Sequence, residues 1–337
     1  MNQKMRFLII GLGSMGKRRI RNLGALGYKD IIGFDLKDEK REEAEEKYKI
    51  QTFASFKDAL KENPDVFIIS TPPNKHNEYI KLAIENKKPA FVEASVILRG
   101  LEELSKIAKN RKVFIAPSCT FRFYPAIKKI KEIVKDGDYG GVTTFIYYMG
   151  QYLPDWHPFE NIKKFYVGKK ETGAAREMVA FELTWLSDIL GLPKNIIGFY
   201  GKTLEMGVNI NDTYALALDF GDKFGSIVVD VVSRYATRSL ILNLEKAQIL
   251  WRWDENFIKL YDANTKKWKK YYFKKGKSAA GYNKNITEDM YVDELKSFIE
   301  SVKGKGRFSN SLNEDIKILK LLESLEKTNK RITSNDN

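Results

Sequence analysis

Arg6-Phe7-Leu8-Ile9-Ile10-Gly11-Leu12-Gly13-Ser14-Met15-Gly16 is the stretch on which the reading of this chain turns. Arg6 to Ile10 has the length and apolar character of a short buried strand, and it runs directly into glycines spaced Gly-x-Gly-x-x-Gly. Beyond them Ile20, Leu23 and Leu26 recur at helical spacing until Gly27 stops the run. Each glycine between strand and helix meets a separate need. Gly11 permits a tight turn, Gly13 lets the backbone approach a pyrophosphate, and Gly16 lets the helix pack on the strand. Ser14 and Met15 open the helix, whose free N–H groups face an anion. The spacing alone is a weak pattern, and its context strengthens it. Ile31-Ile32-Gly33-Phe34 reads as a second strand ending on Asp35, 19 residues beyond Gly16, where a carboxylate can accept from both hydroxyls of a ribose. A carboxylate there repels a 2′-phosphate and favours NAD, while Lys37 and Lys40 leave NADP open.

The alternation continues outward. A charged helix is predicted over Asp38 to Tyr48 and a buried strand over Asp65 to Ile69, running into Ser70-Thr71-Pro72-Pro73. A helix holding Tyr79, Leu82, Ala83 and Ile84 leads to strand Ala90-Phe91-Val92, and the helix Leu101 to Lys109 precedes strand Val113-Phe114-Ile115. Strands separated by such helices imply α/β architecture with a doubly wound parallel sheet, a Rossmann domain over residues 1–120. After about residue 120 strand signals dominate: Val142 to Tyr148, Ile196 to Tyr200, Tyr214 to Phe220, Gly225 to Val232, Leu240 to Leu244 and Ala247 to Trp251. They predict an α+β domain over 121–330 with a large, mostly antiparallel open sheet. Helices from Asp289 to Lys303 and from Leu312 to Lys327 close it, and 331–337 reads as a disordered tail.

At 337 residues the chain is long enough for two cores. The lone Cys119 excludes an internal disulfide and suits a reducing compartment. Lys17-Arg18-Arg19 interrupts the apolar opening before any signal sequence can form, so a cytoplasmic protein with no membrane partner is expected. Lys and Arg number 58 against 44 Asp and Glu, which raises nucleic acid as a partner. The densest cluster, Lys266-Lys267-Trp268-Lys269-Lys270-Tyr271-Tyr272-Phe273-Lys274-Lys275, reads better as one arm of a hairpin with Phe257 to Tyr261, its lysines guarding a sheet edge. Neither a nucleic-acid partner nor a metal site is expected.

With these motifs in place the chain resembles the Gfo/Idh/MocA family, the glucose–fructose oxidoreductase and inositol dehydrogenase group. Ser70-Thr71-Pro72-Pro73-Asn74-Lys75-His76 resembles the family's Thr-Pro-Pro-Asn-x-x-His turn, which implies that Thr71, Pro72, Asn74 and His76 lie on the nicotinamide side of a cofactor. Arg122-Phe123-Tyr124-Pro125 resembles its Arg-Phe-x-Pro segment, and Gly140-Gly141-Val142 its entry into the large sheet. The resemblance adds Glu93 and Arg122 to the cofactor residues. It implies hydride exchange between nicotinamide and a ring carbon of a sugar or nucleotide sugar, and a homodimer or homotetramer formed through the open sheet face.

The catalytic positions depart from the family. Its Glu-Lys-Pro appears here as Glu93-Ala94-Ser95, with alanine for the lysine. Its Asp-x-Gly-x-His-x-x-Asp helix corresponds to Arg176 through Trp185, and the face at i, i+4, i+7 reads Glu177, Phe181, Thr184. Alanine and phenylalanine transfer no proton, so other groups must handle the hydroxyl proton of a carbinol. Glu177, Glu182 and His157 are the catalytic candidates. Carboxylates on an apolar helix need partners, which Arg176 or lysines from Lys163-Lys164 or Lys169-Lys170 would supply. Tyr152, Asp155, Lys169, Arg176 and Ser95 are the candidates for substrate contact, the first two from an aromatic, polar loop after the first strand of domain two. The alternative is a dinucleotide-binding sensor of the same fold that has lost turnover, or a protein that recycles a tightly held cofactor.

Overall fold

The computed structural model describes residues 5–156, 161–274, 276–278 and 283–328. They divide into two compact units: the chain through Phe123 with Glu288–Ile316, and Tyr124–Thr287 with the chain from Lys317. Sequence reasoning placed one boundary near residue 120; the structure adds a return crossing, because a C-terminal segment belongs to the first unit.

The first unit alternates β1 (Phe7–Ile10), α1 (Ser14–Ala25), β2 (Ile31–Phe34), α2 (Asp38–Tyr48), β3 (Gln51–Phe53), α3 (Phe56–Lys61), β4 (Val66–Ile69), α4 (His76–Glu85), β5 (Ala90–Val92), α5 (Leu101–Arg111) and β6 (Ile115–Pro117). Its six strands pair in parallel in the order β3-β2-β1-β4-β5-β6. Every residue of β1, β2, β4, β5 and β6 is buried, as expected of strands covered on both faces.

The second unit holds α6 (Pro125–Asp136), β7 (Val142–Gly150), α7 (Ala174–Leu190), β8 (Asn195–Gly201), β9 (Thr213–Asp219), β10 (Phe224–Asp230), β11 (Thr237–Leu244), β12 (Ala247–Arg252), β13 (Phe257–Asp262) and β14 (Lys267–Tyr272). The sheet runs β14-β13-β12-β11-β7-β10-β9-β8, antiparallel except where β7 lies parallel to β10. The lysine-rich stretch is its edge strand, paired with β13. One face carries the core: Tyr147, Trp185 and Trp251 meet edge to face at 5.2 and 6.2 Å. On the other face the register aligns Ile197, Ala217, Ser226, Ile146, Ile241 and Leu250 across six strands. Phe199 lies on that face too, opposite Ala215, and is 80% exposed.

α8 (Glu288–Val302) belongs to the first unit, and the division falls within α9 (Leu312–Thr328). Leu295, Phe298 and Ile299 of α8 and Phe308 beyond it join the core of β1, β4 and β5, with Phe298 and Phe308 set 5.6 and 6.3 Å from the Phe91 ring. Among the described residues no helix is long and apolar enough to cross a membrane.

Candidate active site

The glycine turn shows what each of its residues is for. Gly11 has φ +92°, a left-handed conformation, and a Cβ there would come within 2.8 Å of the Ser70 carbonyl oxygen. A Cβ on Gly16 would sit 1.9 Å from the Gly11 carbonyl oxygen, so α1 meets the turn too closely for any side chain. Gly13 is different: nothing lies within 4 Å of its would-be Cβ. The space beside Gly13 is therefore open on a backbone that no packing contact requires to be bare. Gly13 at the N-cap has no side chain with which to cap α1, and the first turn carries no acid, so the helix dipole and amides suit an anion. At the end of β2, Asp35 accepts from Leu12 N at 2.8 Å and Lys37 N at 3.0 Å, one on each carboxylate oxygen, which ties the glycine turn to the β2 end. Arg41 donates to the Asp35 carbonyl at 2.9 Å and pairs with Asp38. Open space beside Gly13, a helix N-terminus with no acid in its first turn and a braced carboxylate fit a dinucleotide.

Beneath this turn lies a charged cluster that sequence reasoning missed. Arg19 is fully buried and donates to both oxygens of Glu93 at 2.6 and 3.0 Å and to Glu294 at 3.0 Å. Glu294 also accepts from Cys119 N, Ser118 Oγ and Thr120 Oγ1 at 2.6, 3.0 and 2.8 Å. Burial raises the Glu294 carboxyl, which Arg19 opposes, and burial with the nearby carboxylate raises the Cys119 thiol well above its ordinary value. The pairing gives Glu93 a structural task beside the cofactor contact expected of it: its carboxylate binds Arg19 and joins α1 to the β5 end. Arg19 stands four residues from Met15 and four from the buried Leu23, so helical spacing was the signal that its charge faces inward.

The Thr71-to-His76 turn lies at the end of β4. Pro73–Lys75 form a single 3₁₀ turn, with Pro72 and Asn74 exposed, and His76 is buried at the start of α4. The His76 ring reaches the Thr71 carbonyl at 2.8 Å through Nε2 and Ser95 Oγ at 3.4 Å through Nδ1. Burial pushes its pKa down to about 4. Arg122 is buried and donates to the Ser309 carbonyl, which anchors the loop ahead of α9.

In the second unit the structure separates the two glutamates of α7. Glu182 is fully buried and takes Arg238 at 2.8 Å, Tyr147 OH at 2.7 Å and Trp185 Nε1 at 2.6 Å. Full burial and three protein donors make Glu182 a structural anchor in place of the catalytic group expected. Its cation comes from β11, 56 residues on, where no local signal pointed. Arg176 likewise turns to Glu326, at 2.9 and 3.1 Å, and Glu326 also accepts from Tyr214 OH at 3.0 Å. A carboxylate thus occupies the guanidinium expected at a substrate. Glu177, in the first turn of α7, accepts from Tyr166 OH at 3.3 Å. Tyr152 lies under the Arg234 guanidinium at 3.7 Å, while Asp155 and Lys169 are exposed. His157 lies outside the described residues.

Residues 5–117 match the model of the Gfo/Idh/MocA oxidoreductases, a family described by its NAD-binding Rossmann fold. The uncharacterized oxidoreductase YrbE of Bacillus subtilis is 31% identical over 137 residues, 39% of this chain and 40% of that protein, so the match spans well under half of the relative. Over the whole length the fold is that of levoglucosan dehydrogenase, solved with NADH (TM-score 0.83, 14% identity, 96% of each chain). It is also that of the WlbA dehydrogenase of Bordetella pertussis, solved with NADH and UDP-GlcNAcA (TM-score 0.80, 17% identity, 97% of this chain and 96% of that one).

Proposed function

We infer that this protein is an NAD-binding oxidoreductase of the Gfo/Idh/MocA kind, whose family model its residues 5–117 match, and that it exchanges hydride with a ring carbon of a sugar or nucleotide sugar. The observation that carries the reading is the glycine turn: Gly11 and Gly16 are sterically obligatory, while Gly13 is bare beside open space. That turn and the α1 amides would hold the pyrophosphate, and Asp35 the adenosine ribose. Thr71, Pro72 and Asn74 would border the nicotinamide half. When bound, the dinucleotide supplies a hydride donor or acceptor at the nicotinamide ring. The sugar class rests on the likeness of fold to dehydrogenases solved with such ligands and on the family resemblance of the motifs. Glu177 is the group assigned to the hydroxyl proton, since Glu182 is closed by Arg238, with Tyr152, Asp155 and Lys169 as sugar contacts.

The test is titration with NADH and NADPH, followed by a screen of sugars and nucleotide sugars for absorbance change near ~340 nm. NADH bound more tightly than NADPH, with turnover on one of these substrates, is the expected result. Failure of both nucleotides to bind at physiological concentration removes the reading. One observation favours a second reading, a dinucleotide-binding sensor: Ala94 and Phe181 stand where the family carries its proton-transferring lysine and histidine. NADH binding without turnover on any such sugar would select it.

A further inference from the structure

The sheet order reverses between β1 and β4, and dinucleotides of open α/β sheets lie across the carboxyl ends of the strands at such a point. Asp35 belongs to the half built from β1 to β3, which leaves the ends of β4 and β5 to the nicotinamide half. β4 runs into Ser70-Thr71 and β5 into Glu93-Ala94-Ser95. His76 joins these two ends, and its hydrogen bonds have a fixed polarity. A carbonyl oxygen only accepts, so Nε2 carries the hydrogen toward Thr71. The buried ring is neutral near physiological pH, because its pKa lies near about 4, and Nδ1 therefore offers only a lone pair. At 3.4 Å the Ser95 hydroxyl must be the donor. With its hydrogen directed toward His76, Ser95 Oγ has acceptor capacity alone left to offer a ligand, and the residue keeps 9% of its surface exposed. Of the two residues before it, Glu93 pairs with Arg19 and Ala94 has no polar side chain.

We propose that Ser95 Oγ accepts a hydrogen bond from the carboxamide N–H of the bound nicotinamide, and that His76 is the positioning residue that makes Ser95 an acceptor. The proposal rests on the NAD-binding reading. It assigns work to a serine at the place where the family resemblance expects a proline.

The test is isothermal titration of the full-length protein with NADH and with reduced 3-acetylpyridine adenine dinucleotide. The analogue keeps the ring's carbonyl and lacks its N–H donors. The unaltered protein should prefer NADH by about three- to tenfold, the range of one hydrogen bond. Ser95→Ala should weaken NADH by that factor and leave the analogue within about twofold, so the preference disappears. His76→Phe keeps a ring of similar size, frees the Ser95 hydroxyl to donate to the analogue's carbonyl, and should tighten analogue binding relative to NADH. Should that variant not fold, Ser95→Ala decides alone. A Ser95→Ala protein that weakens for both nucleotides equally, or for neither, overturns the assignment. An unaltered protein that binds neither nucleotide overturns the NAD-binding reading itself, and the two failures are told apart by that control.

Discussion

Gly13 and Gly16 stand three residues apart and answer opposite constraints. Gly16→Ala forces a Cβ onto the Gly11 carbonyl and should abolish soluble, folded protein. Gly13→Ala meets nothing, so a thermal melt should move little, while NADH affinity falls at least about tenfold because the methyl fills the space a pyrophosphate approaches. Equal losses in both measurements for Gly13→Ala would disprove that division. His76 gives a pH prediction with a definite sign. Its pKa falls from an ordinary 6.5 to about 4, so between these values the unfolded chain holds a proton that the folded one does not. Stability from this site is complete above the unfolded value and is lost as pH falls toward about 4, a difference of about 3 kcal/mol. Urea melts at pH 7 and pH 4.5 should diverge less in His76→Phe than in the unaltered protein. Glu177→Gln should lower turnover by about 10²–10⁴-fold, whereas a drop below twofold would exclude it as the proton-transfer group. The glycines and Asp35 were legible in the sequence because their roles are local. Glu182 was not: its partner Arg238 is distant in the chain, and only the sheet brings them together.

Between elements, Arg19 ties α1 to the end of β5 and to α8 through a buried cation. Arg19→Met leaves two carboxylates, Glu93 and the wholly buried Glu294, without their cation. Denaturant unfolding should show a loss of about 3–5 kcal/mol, the usual penalty for breaking one side of a buried pair. Glu294→Gln should cost less, because Arg19 keeps Glu93. Equal costs would mean the cluster does not act through charge. Most elements of the parallel sheet can be read from periodicity, but β3 and α3 cannot. Three residues at Gln51–Phe53 and six at Phe56–Lys61 are too few to display a period. The closing helices could be read as helices to within a residue or so, yet their destination could not. Apolar periodicity in α8 says that one face is buried, not in which core.

Across the whole molecule, the bare face of the large sheet is the feature that a solitary chain leaves unexplained. Ile146, Ile197 and Phe199 stand exposed on it, at 56, 69 and 80%. We propose that copies of the chain pair through this face, as the family resemblance implies. Ile146→Asp combined with Phe199→Asp should convert the oligomer to a monomer in light scattering; an unaltered protein that is already monomeric would end the idea. Alternating strand residues made this face legible, although the return of the C-terminal segment to the first unit could not be foreseen from patterns alone. That return has a consequence for how the protein is made. A ribosome delivers Arg19 and Phe91 long before Glu294, Phe298 and Phe308, their partners in the finished core. At about 5–20 residues per second the interval is on the order of 10 s or more, during which Tyr124–Thr287 of the second unit is synthesised. The Rossmann half is thus first in the message, yet it is completed only after most of the second unit has been made. A nascent chain halted before α8 exposes an unfinished nucleotide-binding core to chaperones and proteases.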